Sequence, residues 1–387
     1  MDAQRSAVGV IQLAGIGKPI PINLHPMERG KRLLFVALHR PGRSPSQRFR
    51  FEQFIPFLQG NNWHCDYAYV LDEEGDKAFY APGAYWQKAK VVIKGFLSRM
   101  SDIAKADQYD VIFIQRETFV TGSTFFEHRF ARTKAKVVFD FDDAIWLLDI
   151  SEGNKNLSWL KDPSKTKKII ALSDLVIAGN SYLADYAEGF NPHVKVLPTV
   201  IDTDFYIPVP KANSEVITIG WSGSQTTNKH FLLSEPWLRI LKEKYGKRIR
   251  FVAVTERAIE MEGIDIETIY WDKEKEVENL NQIDIGMMPL PDDEWSKGKC
   301  GFKGIQYMSL GKPSVMSPVG VNPEIIEHGV NGYLPNTTEE WVDCLSKLID
   351  SEALRQQIGQ AGRQTIEARY SVHSAKGKLL QMLDDLM

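Results

Sequence analysis

The chain has 387 residues and a mass of 44.0 kDa, a length that favours about two domains over a single core. Hydrophobic residues make up 43% and charged residues 25%, which excludes a disordered chain and a coiled-coil rod. The formal net charge of -3 argues against a nucleic-acid-binding protein, because such proteins carry a basic excess.

Three widely spaced cysteines, at positions 65, 300 and 344, fit neither a disulfide framework nor a zinc motif. We therefore expect a reducing, cytoplasmic environment. Residues 1–30 lack the order of a signal peptide, and no apolar run approaches the ~20 residues that span a bilayer. Peripheral contact with the inner membrane stays open as an alternative.

Residues 1–30 show no clear periodicity, and we expect an extended arm there. From Lys31 onward, short apolar runs alternate with helical patterns, which predicts a parallel sheet with helices on both faces. A helix is predicted from residue 47 to 65, stopping near Gly60. The predicted strands of this first series are residues 31–38, 66–71, 109–115, 135–142 and 174–179.

A second series of strands and helices follows a proline-containing stretch at residues 206–215. Its predicted strands are residues 216–223, 248–254, 283–290 and 313–320. The chain thus divides into a domain of residues 31–210 and a domain of residues 211–371. Two doubly wound α/β domains leave a cleft at the carboxyl ends of their strands, where such sheets bind ligands.

The most informative window is residues 295–334. Gly298, Gly301 and Gly304 recur at the start of a predicted helix, with Lys299 and Lys303 between them. Backbone N–H groups at a helix N-terminus bind phosphate, and two lysines suit a diphosphate. The alternative is a flexible loop with solvated lysines.

The order of elements in this window resembles the C-terminal signature of glycosyltransferase family 4. The matching segments are Gly301-Phe302, residues 307–313, Glu324-Ile325-Ile326 and residues 331–334. The resemblance implies the GT-B fold, a nucleotide-sugar donor, transfer with retention of configuration, and neither a bound metal nor a further cofactor. It also implies that a last helix, at about 372–387, crosses back onto the first domain.

The resemblance implies a set of donor-binding residues. They are Ser222, Gly223, Lys229, Lys299, Gly301, Phe302, Lys303, Gln306 and Glu324. Two glutamates usual in the family are replaced here by Gly298 and Gln306. Its usual arginine is missing from the loop after residue 220, and Lys299 and Lys303 are candidates to supply that charge.

The first domain is expected to supply the acceptor side of the site. Gly42, Arg43 and Arg48 lie in a cationic loop suited to a phosphate-bearing acceptor. Asp142 and Asp143 lie at the end of a predicted buried strand. The resemblance implies that one of them orients or deprotonates the acceptor hydroxyl. Capping of a helix by either aspartate, or Mg²⁺ binding, is the alternative.

The sequence therefore predicts a glycosyltransferase of polysaccharide or glycoconjugate synthesis. The acceptor would be a glycan, a lipid-linked sugar or a small molecule, and the basic stretches 129–136 and 161–168 could attract anionic lipid. One alternative is a subunit that binds sugar nucleotides without transferring them, because the donor-sugar glutamate is missing. A less favoured one is a sugar-nucleotide 2-epimerase.

Overall fold

A computed structural model describes residues 30–81, 83–147, 162–209 and 215–387. The expected arm of residues 1–29 lies outside the described residues, as do residues 210–214 at the expected domain boundary. Contacts separate the chain into two units, residues 1–30 and residues 31–387. The fold given below is that of the second unit.

The first series of apolar runs forms a parallel sheet of six strands. The strands are β1 (Lys31–Val36), β2 (Trp63–Ala68), β3 (Val111–Gln115), β4 (Lys136–Phe141), β5 (Leu175–Ala178) and β6 (Val194–Val196). Their order is β2-β1-β3-β4-β5-β6, and Leu33 pairs with Cys65 on one side and Val111 on the other. Every residue of β3 is buried, as expected of a parallel strand covered on both faces.

The second series forms a parallel sheet of five strands. They are β7 (Ile217–Ser222), β8 (Ile249–Thr255), β9 (Ile266–Tyr270), β10 (Ile285–Met288) and β11 (Ser314–Met316), in the order β11-β10-β7-β8-β9. The sequence did not predict β9. This edge strand has no continuous apolar run, because Glu267 and Tyr270 face solvent.

Helices connect the strands on both faces of each sheet. In the first half they are α1 (Pro45–Arg50), α2 (Ile55–Gly60), α3 (Glu73–Tyr80), α4 (Tyr85–Lys105), α5 (Phe125–Phe130), α6 (Lys165–Leu172) and α7 (Ser181–Glu188). In the second half they are α8 (Asn228–Leu232), α9 (Glu235–Tyr245), α10 (Glu276–Asn281), α11 (Glu294–Lys297), α12 (Phe302–Ser309), α13 (Asn322–Ile325), α14 (Thr338–Asp350), α15 (Glu352–Arg369) and α16 (Val372–Asp384). Within the described residues, none of these helices is long and apolar enough to cross a membrane.

The single helix predicted for residues 47–65 is wrong. Two short helices, α1 and α2, flank a 3-10 turn at Glu52–Phe54, and β2 begins at Trp63. Pro56 explains the break, because proline donates no hydrogen bond and its ring collides with the carbonyl four residues earlier, at Glu52. The strand predicted at 66–71 therefore begins three residues earlier than expected.

The last helix, α16, packs against the first sheet. Leu379 lies in the same buried cluster as Leu33 of β1. Asp384, at the end of the helix, accepts hydrogen bonds from Lys31 Nζ at 2.7 Å and from Trp63 Nε1 at 3.1 Å. The end of the chain therefore completes the core around its first strand.

Each sheet changes its winding direction at one place. In the first sheet the chain moves outward from β1 to β2 and then returns to β3 on the other side; in the second, β8 and β10 flank β7. Loops at the carboxyl ends of such strand pairs form the ligand-binding crevice of doubly wound sheets. These are the loops that follow residues 36, 115, 222 and 288.

Candidate active site

Three neighbouring cavities occupy the cleft formed by these loops. A second-sheet cavity of about 280 Å³ lies between α1 and the end of β7, and a central cavity of about 160 Å³ adjoins it. Both are lined by Phe49, Phe302 and Lys303. A first-sheet cavity of about 300 Å³ meets the central one at Arg116.

The second-sheet cavity has an apolar wall and a polar end. Its apolar lining includes Trp271, Leu280 and the rings of Phe49 and Phe302, whose centroids are 4.1 Å apart. Ser222, Gly223 and Gln306, all predicted from sequence, lie on its polar side. An apolar wall with a few converging polar groups is typical of a small-molecule site.

A buried carboxylate that sequence reasoning missed belongs to this polar side. Glu276 accepts hydrogen bonds from Arg48 Nη2 at 2.6 Å and from Gln306 Nε2 at 3.1 Å. Arg48 was predicted to meet an acceptor phosphate, but it lies on the second-sheet side, paired with Glu276. Glu276 carried no sequence signal, because it lies in an acidic stretch typical of a solvated helix face.

Positive charge is concentrated where the second-sheet and central cavities meet. Burial, and then repulsion from Lys299, lowers the pKa of Lys303 to about 8. Burial, followed by the charges of Lys303, Lys299 and Lys229, lowers the pKa of His230 to about 4. The Lys303 ammonium lies 5.5 Å from the centroid of the Trp221 ring. An anion bound here would relieve the mutual repulsion of the lysines.

The glycine-rich loop before α12 is held tightly against the first domain. Asn180 Nδ2 donates to the carbonyls of Gly298 at 3.2 Å and Lys299 at 3.1 Å. A Cβ atom at Gly298 would lie 2.7 Å from the Cβ of Ala144, so the glutamate usual in the family has no room there. Gly301, at φ +66°, adopts the left-handed conformation at the start of α12.

Asp142 and Asp143 both line the central cavity, as their position after β4 predicted. Asp142 accepts from Arg116 Nε at 2.8 Å, and Asp143 lies 2.9 Å from Lys299 Nζ and 3.6 Å from Arg116 Nη2. Burial alone would raise the pKa of Asp142, but Arg116 and then Arg50 hold it below its ordinary value. Asp142 is therefore ionised at neutral pH.

Arg116 is a further residue that the sequence did not reveal. It follows β3 directly and has a φ of +61°, which is uncommon for a residue other than glycine. Such strain is retained where the surrounding structure holds it, often at a functional site. Here the conformation accompanies ion pairs between the guanidinium and the two aspartates.

The remaining residues predicted for the site are scattered, and only some of them line the cleft. Lys229 is exposed at the start of α8 and acts on the site through its charge. Gly42 forms a turn, with its amide donating to Glu52, whereas Arg43 lines the second-sheet cavity. Glu324 accepts from Ser181 Oγ at 2.8 Å and lines a separate cavity of about 240 Å³. The structure does not bring Glu324 together with the lysines.

Residues 215–351 match the family described as glycosyl transferases group 1. This part of the chain is similar to a group 1 glycosyltransferase domain. It contains the whole second sheet, the lysine loop and Glu276. The resemblance noted in residues 295–334 is thus confirmed.

One curated relative is the spore coat protein SA of Bacillus subtilis (strain 168), 28% identical over 82 residues. The match spans 20% of this chain and 22% of the length of that relative.

Solved structures extend the likeness to both domains. A glycosyltransferase from Rickettsia africae ESF-5 superimposes with a TM-score of 0.64 at 14% identity, covering 92% of this chain and 98% of that one. Sucrose-phosphate synthase from Thermosynechococcus elongatus gives 0.64 at 12%, covering 92% and 99%. Anabaena HepE in complex with UDP-glucose gives 0.62 at 14%, also covering 92% and 99%. The predicted GT-B fold is confirmed.

Proposed function

We propose that the protein transfers a sugar from a nucleotide-sugar donor to an acceptor hydroxyl, in the synthesis of a polysaccharide or glycoconjugate. The observation that carries the proposal is the pair of lysines, Lys299 and Lys303, between a nucleoside-sized cavity and two carboxylates. Anabaena HepE, which shares the fold, was solved with UDP-glucose, and this supports a donor of that class.

The donor nucleotide would occupy the second-sheet cavity. Its base would pack against the apolar wall at Trp271 and Phe302, and its ribose hydroxyls would face Glu276 and Gln306. The diphosphate would then lie at Lys303 and at the N-terminus of α12, whose backbone N–H groups attract anions. Glu276 thus places a carboxylate beside Gln306, where the family usually has a glutamate.

Transfer breaks the bond between the sugar's anomeric carbon and the diphosphate oxygen, and negative charge develops on the leaving group. Lys299 and Lys303 would stabilise that charge without reorganising during the reaction. Within the described part of the chain, no cluster of three or more His, Cys, Asp or Glu side chains could hold a metal ion. We assign neutralisation of the diphosphate to the lysines because they line the cavities proposed for the nucleotide, and retention of configuration follows from the resemblance to family 4.

The acceptor would enter through the first-sheet cavity. Trp295 and Tyr80 give this cavity aromatic surface, and Gln115 lines it with an amide nitrogen that is buried and has no partner among the described residues. Aromatic faces and amide donors suit a sugar with its hydroxyls. At Arg116 this cavity reaches the central one, so Asp142 or Asp143 could accept the proton of the attacking hydroxyl.

A subunit that binds sugar nucleotides without transferring them is the second candidate. It is favoured by one observation: Gly298 offers neither the family's carboxylate nor room for one. The two proposals differ in whether nucleotide is released.

The deciding experiment measures binding and turnover with UDP-, GDP- and ADP-linked sugars, in the presence and absence of sugar acceptors. A transferase binds one nucleotide selectively and releases it only when an acceptor is present. Lys303→Ala should raise the Kd at least about tenfold. Lys297→Ala, a half-buried neighbour paired with Asp292, serves as the matched control. Binding without release would support the subunit; release without acceptor would support the epimerase; no binding would refute all three.

A further inference from the structure

Helix α4 presents several large apolar side chains to solvent. Trp86 is 80% exposed, the highest value for a large hydrophobic residue in the described part of the chain. Leu97, Ile93 and Tyr85 on the same helix are 64%, 62% and 57% exposed. Exposed apolar side chains are ordinary one at a time, but a contiguous group marks an interaction surface.

These side chains form a stripe. At 100° per residue, Trp86, Ile93 and Leu97 lie within about 40° of one another around the helix axis. The opposite face packs onto the first domain, where Gly95 and Arg99 are buried. The stripe is therefore the outward face of a helix that the fold holds firmly from behind.

A second helix continues the surface. Phe96 stacks on Phe125 of α5 with ring centroids 6.1 Å apart and planes at 18°, and both rings are at least 40% exposed. The Arg129 guanidinium lies 5.3 Å from the centroid of the Phe125 ring. An aromatic pair and one cationic group thus lie at the edge of the patch.

Cationic side chains predominate along one flank of the stripe. Lys90, Lys94 and Lys105 are exposed along one flank of the stripe, and Lys94 also pairs with Asp72. The acidic residue of α4, Asp102, is on another face. Long lysine side chains beside an apolar stripe can extend towards lipid headgroups while their methylenes cover apolar surface. In a symmetric dimer built on this face, the lysine rows would instead repel each other.

We propose that α4 and α5 seat the protein on a bilayer surface that contains anionic lipid, with the apolar stripe immersed at the headgroup boundary. An amphipathic helix with aromatic residues, leucine and a lysine flank has the composition of an interfacial helix. Tyr80, five residues before α4, lines the first-sheet cavity. If the proposed transferase function holds, the acceptor cavity then opens near the membrane, which favours a lipid-linked sugar as the acceptor.

The test uses the full chain and phosphatidylcholine vesicles with and without phosphatidylglycerol, in a flotation assay without donor or acceptor. We expect binding to the anionic vesicles, weakening as salt is added. A triple variant, Trp86→Ser, Ile93→Ser, Leu97→Ser, should lower the partition coefficient at least about a hundredfold, since each immersed side chain contributes to it. Tyr270→Ser, an exposed aromatic on β9, should change nothing.

A further variant, Lys90→Glu with Lys105→Glu, should abolish the preference for phosphatidylglycerol. Because the substituted residues are exposed, the variants should fold normally. Unchanged circular dichroism and thermal melting will verify this. Equal binding by the triple variant and the wild type, or wild-type binding that ignores phosphatidylglycerol, overturns the proposal. Absence of vesicle binding also overturns it. A dimer that the triple variant dissociates would then assign the face to a second copy. Because no nucleotide is involved, either failure leaves the transferase proposal standing.

Discussion

A single proton on Lys303 is expected to control nucleotide binding. Its pKa of about 8 means that the unliganded protein loses this charge as pH rises through that value. Lowering the pKa from 10.5 to about 8 corresponds to about 3 kcal/mol against the protonated form, which a bound diphosphate would offset. Binding should therefore weaken with rising pH, because the protonated fraction is the competent one.

The size of the effect follows from that fraction. Between about pH 7 and about pH 9 the protonated share falls from about nine tenths to about one tenth, so the apparent Kd should rise about tenfold. Lys303→Met removes one charge-assisted hydrogen bond, worth about 1.5–3 kcal/mol, or about 10- to 150-fold in Kd at neutral pH. Lys303→Arg keeps its charge throughout this range and should bind with little pH dependence.

The Kd of all three proteins is measured across this pH range by isothermal titration calorimetry. The titrant is the nucleoside diphosphate that binds the wild type. Lys297→Met provides the control for loss of a nearby half-buried lysine. The Kd values of wild type and Lys303→Met should converge at high pH. A pH dependence in Lys303→Met equal to that of the wild type would refute the assignment, because another group would then be titrating.

Four further outcomes are expected. Asp143→Asn should slow transfer about 10²- to 10⁴-fold while nucleotide binding persists in calorimetry; a parallel loss of binding would contradict a role towards the acceptor. Glu276→Gln should reduce the preference for a ribonucleoside diphosphate over its 2′-deoxy analogue, and an unchanged ratio of the two Kd values would exclude ribose contact. Arg50→Met leaves Asp140 unpaired at 0% exposure and should lower the free energy of unfolding by about 3–5 kcal/mol in urea titration. Lys77→Met, which breaks an exposed ion pair, should not shift the midpoint, and equal midpoints for the two variants would refute the role of the buried pair. EDTA should leave the transfer rate unchanged, and activity restored by Mg²⁺ after EDTA treatment would show a metal requirement.

The fold was predictable where burial leaves a local signature. A strand covered on both faces, such as β3, is a short apolar run bounded by residues that favour turns. The edge strand β9 pairs on one side with β8, so its apolar residues need not be continuous, and no run marked it. The break in the helix at residues 45–60 results from one proline. The apolar pattern continues across that position and therefore suggested a single helix.

The candidate site was also predictable only in part. Lys299, Lys303 and Gln306 lie within eight residues, so a local motif was enough to group them. Glu276, at the start of α10, and Arg116, directly after β3, reach the same cleft from separate segments. No spacing in the sequence links either residue to the motif. Their roles follow from contacts that exist only once both sheets have formed.

The packing of α16 on the first sheet also has a consequence for biosynthesis. About 180 residues separate β6 from this helix, which at ~5–20 residues per second takes a ribosome roughly 10 to 40 s to translate. During that interval the apolar side chains beneath Leu379, including Leu33, lack their cover. The nascent first half must therefore wait, with part of its core open to chaperones, until α16 has been synthesised.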